Sequence, residues 1–197
     1  MTAADAVAAI RAGEAVVLPT DTVYGLCAAP TAAAAAYLAR LKSREERQPI
    51  ALLAGSVEAL LELVPELPEP TLRALLPGAY TLVLPNPAQR FPWLTGENPQ
   101  ALGVRVPVLP GPAEAVLEQV RAVLATSANL HGGPDPRRLE DVPEQIRAAC
   151  GALVDAGELP GTPSTVLDLT GREPRVLREG AVPAAEALAA TADGDGE

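Results

Sequence analysis

Histidine is almost missing from this chain: His131 is the one copy in 197 residues. That scarcity argues against a histidine-based zinc site and against a Ser-His-Asp triad. Cysteine is nearly as scarce. Cys27 and Cys150 lie far apart, which gives neither a disulfide framework nor a metal-ligand spacing. Aromatic residues make up only 3%, so the core has to be built from Leu, Val and Ala. No apolar run approaches the length of a bilayer span, and the start MTAADAVAAIRAGEA lacks a basic segment before an apolar block. The expectation is a cytoplasmic protein without a membrane partner. Positive charge is also in deficit. A net charge of −10 opposes non-specific binding to nucleic acid by the body as a whole.

Apolar residues are plentiful at 48%, enough for a sizeable core and too many for wholesale disorder. The length fits one generous domain. Acidic side chains gather in Glu58–Glu69 and Asp193–Glu197, and basic ones in Lys42–Arg47, Arg137–Arg138 and Arg172–Arg178. Local basic clusters on an acidic chain suit a small anionic ligand better than a polyanion surface.

The chain is organised around Val16–Leu26, VVLPTDTVYGL. Val16, Val17 and Leu18 read as the end of a buried strand, and Pro19 stops the ladder. Thr20, Asp21 and Thr22 follow where the strand opens into a loop. Ligands collect at such strand ends, yet a turn satisfying its own backbone fits these residues as well. Helices are predicted over Thr2–Ala12, Ala32–Leu41, Val57–Leu63, Glu69–Leu76, Ala113–Val120, Pro143–Ala149 and Pro183–Ala190. Strands are predicted over Ala15–Leu18, Ile50–Leu53, Thr81–Leu84, Leu102–Val106, Ala122–Thr126 and Ala152–Asp155. Ser164–Leu169 and Arg175–Leu177 flank a turn and read as a hairpin. The alternation implies one α/β domain, a mixed sheet with helices packed on it.

Several residues could carry chemistry. If the chain is extended at Lys42-Ser43-Arg44, both cations point to one side and can share a ligand; a solvated loop partnered by Glu45 and Glu46 is the other reading. Ser127 and Asn129 follow a buried strand and offer a hydroxyl and a carboxamide. Arg105 sits in a strand on the face opposite Val104 and Val106, where a charge needs solvent or an anion. Ser164 opens one strand and Arg178 closes another. Cys27 reads as a small apolar residue and His131 as a surface one.

The order of these blocks carries more than any one of them. PTDTVYGL, KxR, LPGAYTLVLP, LGVRVP, TSANLHG, PSTVLDL and VLREGAV together closely resemble the YrdC/TsaC family, the threonylcarbamoyl-adenylate synthases, over about Val16–Val182. The resemblance implies a twisted, open mixed α/β sheet with a concave ligand-binding face, formed by residues 1–182. Residues 183–197 would then be a C-terminal helix and acidic tail, as in the short form of the family. It also implies a nucleotidyltransferase that condenses L-threonine, bicarbonate and ATP to threonylcarbamoyl-AMP and pyrophosphate. Its product supplies tRNA-modification proteins, with tRNA itself contacted weakly or indirectly. By match of motif, Thr22, Arg105, Ser127 and Ser164 would hold threonine. Arg44, Gln48, Ala101, Asn129, Arg137 and Arg178 would surround ATP, with Lys42 and Arg44 catalytic. Magnesium would accompany ATP, with no protein ligand assigned. The chain departs from the pattern at Leu53, where some members carry a threonine-contacting His, at His131 in place of Ser, and at Glu45 in place of Pro. A paralogue acting on another acceptor and an RNA-binding module are the competing readings. Lys42, Arg44, Arg105 and Arg178 are expected to converge on one positive face.

Overall fold

The computed structural model describes residues 1–43 and 48–194. Among them the chain runs α1 (Ala3–Arg11), β1 (Val16–Pro19), β2 (Tyr24–Ala28), α2 (Ala32–Leu41), β3 (Ala51–Ala54), α3 (Val57–Leu63) and α4 (Glu69–Leu75). It continues through β4 (Tyr80–Pro85), β5 (Ala101–Arg105), α5 (Gly111–Val120), β6 (Ala122–Ser127), α6 (Glu144–Ala148), β7 (Ala152–Leu153), β8 (Thr165–Asp168), β9 (Arg175–Arg178) and α7 (Ala184–Gly194). Helix starts follow their capping chemistry. Thr2 forms a capping box with Asp5, and the hydroxyls of Thr31 and Ser56 accept from the amides of Ala34 and Ala59.

The strands form one open, mixed sheet in the order β7-β1-β2-β6-β3-β5-β4-β8-β9. Its parallel pairings are β1 with β7, β3 with β5 and β4 with β8; the others are antiparallel. Strand β2 is absent from the sequence-based prediction. Pro19 does not end the pairing but is its last member, opposite Tyr24, and Thr20–Val23 forms the hairpin turn. A strand end is where proline is tolerated in a ladder.

Register sorts the side chains onto two faces. Leu26, Leu52, Leu82, Leu84, Leu102, Val104, Leu124 and Leu167 lie on one, buried with Leu38, Leu60, Leu72 and Ala187 of the covering helices. Each fully buried leucine of this kind stabilises the fold by about 1.5–3 kcal/mol. Ala187 ties α7 into the same core, so the helix predicted beyond residue 182 is joined to the body. On the second face, α1 and α5 cover one end, where Ile10, Val116 and Leu117 pack on Val16, Leu18, Cys27 and Val123. Among the described residues no helix packs over the rest of that face. Its floor is made of small residues from four strands, Gly25, Ala51, Ala125 and, two apart along β5, Ala101 and Gly103. Small side chains beneath an uncovered part of a sheet leave a cleft. Among the described residues no helix is long and apolar enough to cross a membrane.

Candidate functional site

The cleft holds about 530 Å³ above this floor. Its lining brings together residues far apart in sequence: Arg105 from β5, Ser127 from β6, Ser164 before β8, and Arg178 from β9, with Ala101 in the floor. Thr95 and Asn98 also line it, from the proline-rich segment before β5 that carried no chemical signal in the sequence. Of the four cations expected on one face, Arg105 and Arg178 meet here.

Arg105 is 8% exposed, and its charge is met by Asp21 from the β1–β2 turn. The same nitrogen, Nη2, donates to Thr22 Oγ1 at 2.8 Å. Burial pushes the Asp21 carboxyl up from its ordinary value, and the adjacent guanidinium only partly offsets that. Burial likewise lowers Arg105. Both directions express one desolvation cost shared by the pair. Arg105 Nε is buried with no hydrogen-bond partner among the described residues. Thr22, expected at the threonine, is completely buried and held behind Arg105.

Opposite, Arg178 donates to the Ser164 carbonyl at 2.8 Å, and Ser164 Oγ lies 2.8 Å from Thr81 Oγ1. The guanidinium thus fixes the loop that presents the Ser164 hydroxyl. Ser127 Oγ donates to Asn129 Oδ1 at 2.7 Å, and Asn129 Nδ2 donates to the Gly133 carbonyl at 2.6 Å.

Lys42 corrects an expectation. It caps the C-terminus of α2 in the helical region and Ser43 follows at φ 51°, so the chain turns instead of extending. Its ammonium is buried and donates to the Ser127 carbonyl, to the Asn129 carbonyl at 2.7 Å and to Asn129 Oδ1 at 2.8 Å. Lys42 therefore fastens the Ser127–Asn129 segment from behind and is not among the cleft-lining side chains. Arg44 lies outside the described residues. Gln48, half-buried, sits beside the exposed lining residue Pro49. Arg137 is a second correction: it is exposed, pairs with Glu158 at 2.8 Å and packs over Gly161, away from the lining. Leu53 does line the cleft, an apolar side chain where some relatives were expected to carry His. Burial pushes the thiols of Cys27 and Cys150 up to about 12, so neither is a thiolate at neutral pH. No cluster of three or more His, Cys, Asp or Glu able to hold a metal ion occurs among the described residues.

The family model Sua5_yciO_yrdC, described as Telomere recombination, matches residues 8–180. The chain belongs to the Sua5/YciO/YrdC family. A Mycobacterium tuberculosis relative is 38% identical over 182 residues, 90% of this chain and 83% of that protein. A threonylcarbamoyl-AMP synthase of Pyrococcus abyssi is 34% identical over 182 residues, 90% of this chain and 53% of the other. Among solved structures, P. abyssi Sua5 complexed with L-threonine superposes with a TM-score of 0.84 at 34% identity, over 94% of this chain and 56% of that one. This member of the family thus spans just over half the length of its P. abyssi relatives. The E. coli YciO structure matches with a TM-score of 0.81 at 26% identity, over 94% of this chain and 92% of its own.

Proposed function

We propose that this chain is an L-threonylcarbamoyladenylate synthase, a nucleotidyltransferase. The observation that carries the reading is Arg105: a buried cation lining the cleft, with one nitrogen held by the protein and Nε without a partner. A buried donor of that kind calls for an acceptor from a ligand, and a carboxylate is the natural one. The kinship with threonylcarbamoyl-AMP synthases and with a Sua5 bound to L-threonine supports threonine as its source.

In this reading threonine lies with its carboxylate on Arg105 and its side chain toward Ser127 and Ser164. Its amine combines with bicarbonate to give a carbamate and water. A carbamate oxygen then attacks the α-phosphorus of ATP, the bond to the β-phosphate oxygen breaks, and pyrophosphate leaves. Such a displacement needs alignment and charge neutralisation more than a covalent nucleophile. Arg178 stands where it can neutralise phosphate, Ala101 offers floor beneath the nucleotide, and Lys42 keeps Ser127 and Asn129 in place. Arg44 and Gln48 belong to the ATP end in this scheme. Magnesium comes with the ATP phosphates, held by their oxygens and water. The product serves proteins that transfer the threonylcarbamoyl group to tRNA, in the cytoplasm.

Pyrophosphate release from ATP is the test. The synthase requires both L-threonine and bicarbonate. Release that proceeds without threonine points to a paralogue with another acceptor, and tight tRNA binding without ATP binding to an RNA module.

A further inference from the structure

We infer that Asp21, a residue to which the motif comparison assigns no role, is a positioning residue that sets how Arg105 reads the substrate carboxylate. The inference rests on the synthase reading above. It starts from hydrogen counting on one nitrogen. Arg105 Nη2 carries two hydrogens, and the geometry uses both within the protein, one toward Asp21 Oδ1 and one toward Thr22 Oγ1. Nε is buried without a partner, and Nη1 makes no hydrogen bond among the described residues either. The turn thus holds the guanidinium by Nη2 and leaves its other N–H groups for the ligand.

Behind the guanidinium, Thr20 Oγ1 donates to the Val23 carbonyl at 2.7 Å and accepts from the amides of Thr22 and Val23, each at 3.2 Å, which fills its two lone pairs and pins the turn. Thr22 Oγ1 accepts from Arg105. Thr22 is completely buried and is not among the cleft-lining residues, so its part in recognition goes through Arg105. Asp21 supplies the matching charge, which keeps the guanidinium in the cleft wall and cancels its charge on the protein side. Arg178 is the other cation whose field Arg105 feels. Without Asp21, one Nη2 hydrogen is released and competes for the substrate carboxylate.

The experiment is calorimetric titration of the full chain with L-threonine, L-threoninamide and ATP, for wild type, Asp21→Asn, Thr22→Val and Thr22→Ser. Charge-assisted hydrogen bonds set the scale, so wild type should prefer the acid over the amide by roughly 10- to 100-fold. Asp21→Asn, which keeps size and an acceptor but removes the charge, should lower that preference about tenfold while ATP affinity moves less than twofold. Thr22→Val should lower it in the same sense, and Thr22→Ser should restore it. Should Asp21→Asn fail to fold, Thr22→Val carries the test through the other partner of Nη2. An unchanged acid-to-amide ratio in the folded variants overturns the proposal, as does an equal fall in ATP affinity, the mark of a merely structural role. Wild-type protein that binds neither threonine nor its amide refutes the synthase reading itself, and this proposal with it.

Discussion

Replacing Gly103 by valine separates the cleft from the stability of the sheet that carries it. Gly103 sits at the centre of β5, opposite Val83, on the floor of the cleft. Its backbone is not left-handed, so a side chain introduces no strain there. A Cβ at this position meets nothing nearer than Ala51 Cα and Thr81 Cγ2, both at 3.9 Å, an ordinary contact distance. The first carbon therefore fits, and the two methyls of valine project into the cleft. In the free protein the exchange removes a strand glycine for a β-branched residue, worth up to about 1 kcal/mol of stability. For a chain of this size that raises Tm by about 2–4 °C or leaves it unchanged. A ligand lying on the floor as closely as core side chains lie on one another meets an overpacked site, costing about 1–3 kcal/mol. Affinity then falls about 5- to 150-fold. Thermal melting and calorimetric titration with ATP and L-threonine read the two effects separately. A stable variant that binds both ligands within twofold of wild type refutes the cleft as the site. A Tm lowered by more than 5 °C refutes the spatial argument about the floor.

The Asp21–Arg105 pair predicts a coupled cycle: Asp21→Ala alone should cost about 3 kcal/mol, the lower end for breaking a buried pair because the cleft admits water. Asp21→Ala combined with Arg105→Met should recover most of that in urea denaturation, and a double variant as unstable as the sum of the two singles contradicts the buried-pair account. The Asp155 carboxyl is held below its ordinary 3.8 by the Gly157 amide and the Tyr24 hydroxyl. Its contribution is complete above pH 3.8 and is lost as pH falls through the folded value, so Asp155→Asn should show a shallower acid limb of stability below pH 4. Among amino acids, valine should support pyrophosphate release far worse than threonine, because a site built to hydrogen-bond a hydroxyl rejects the analogue lacking it. Serine should be only about 10- to 200-fold worse than threonine, and equal rates with valine would remove Ser127 and Ser164 from the threonine side chain.

Local signals in the sequence carried most of the architecture. Capping residues, proline stops and apolar runs placed all seven α-helices and eight of the nine strands among the described residues, with ends shifted by a residue or two except at α7, which runs four residues further than predicted. Strand β2 escaped because VYGLCA follows a loop without a break of its own, and Gly25 inside it weakens the strand pattern. The site was legible where strand alternation alone singled out a charge, as with Arg105, whereas Ala101 came only from the family resemblance. It was not legible where function depends on a partner distant in sequence. Asp21 meets Arg105 across 84 positions, and no local pattern announces that pairing. Lys42 misled for the opposite reason. A charge run ordinarily reads as solvated, yet carbonyls at the end of β6, 85 and 87 positions away, draw this ammonium inside.

The order of the strands has a consequence for when the molecule can work. Arg105 and Ser127 lie on strands at the middle of the sheet, but Ser164 and Arg178 reach the cleft only when β8 docks in parallel on β4, bringing residues 80–83 to residues 165–168. Parallel, distant pairings of that kind are the slowest to assemble in a folding chain. A ligand spanning both walls therefore acts as a clasp across this seam, and its binding energy adds to the hold of β8 and β9 on the rest of the sheet.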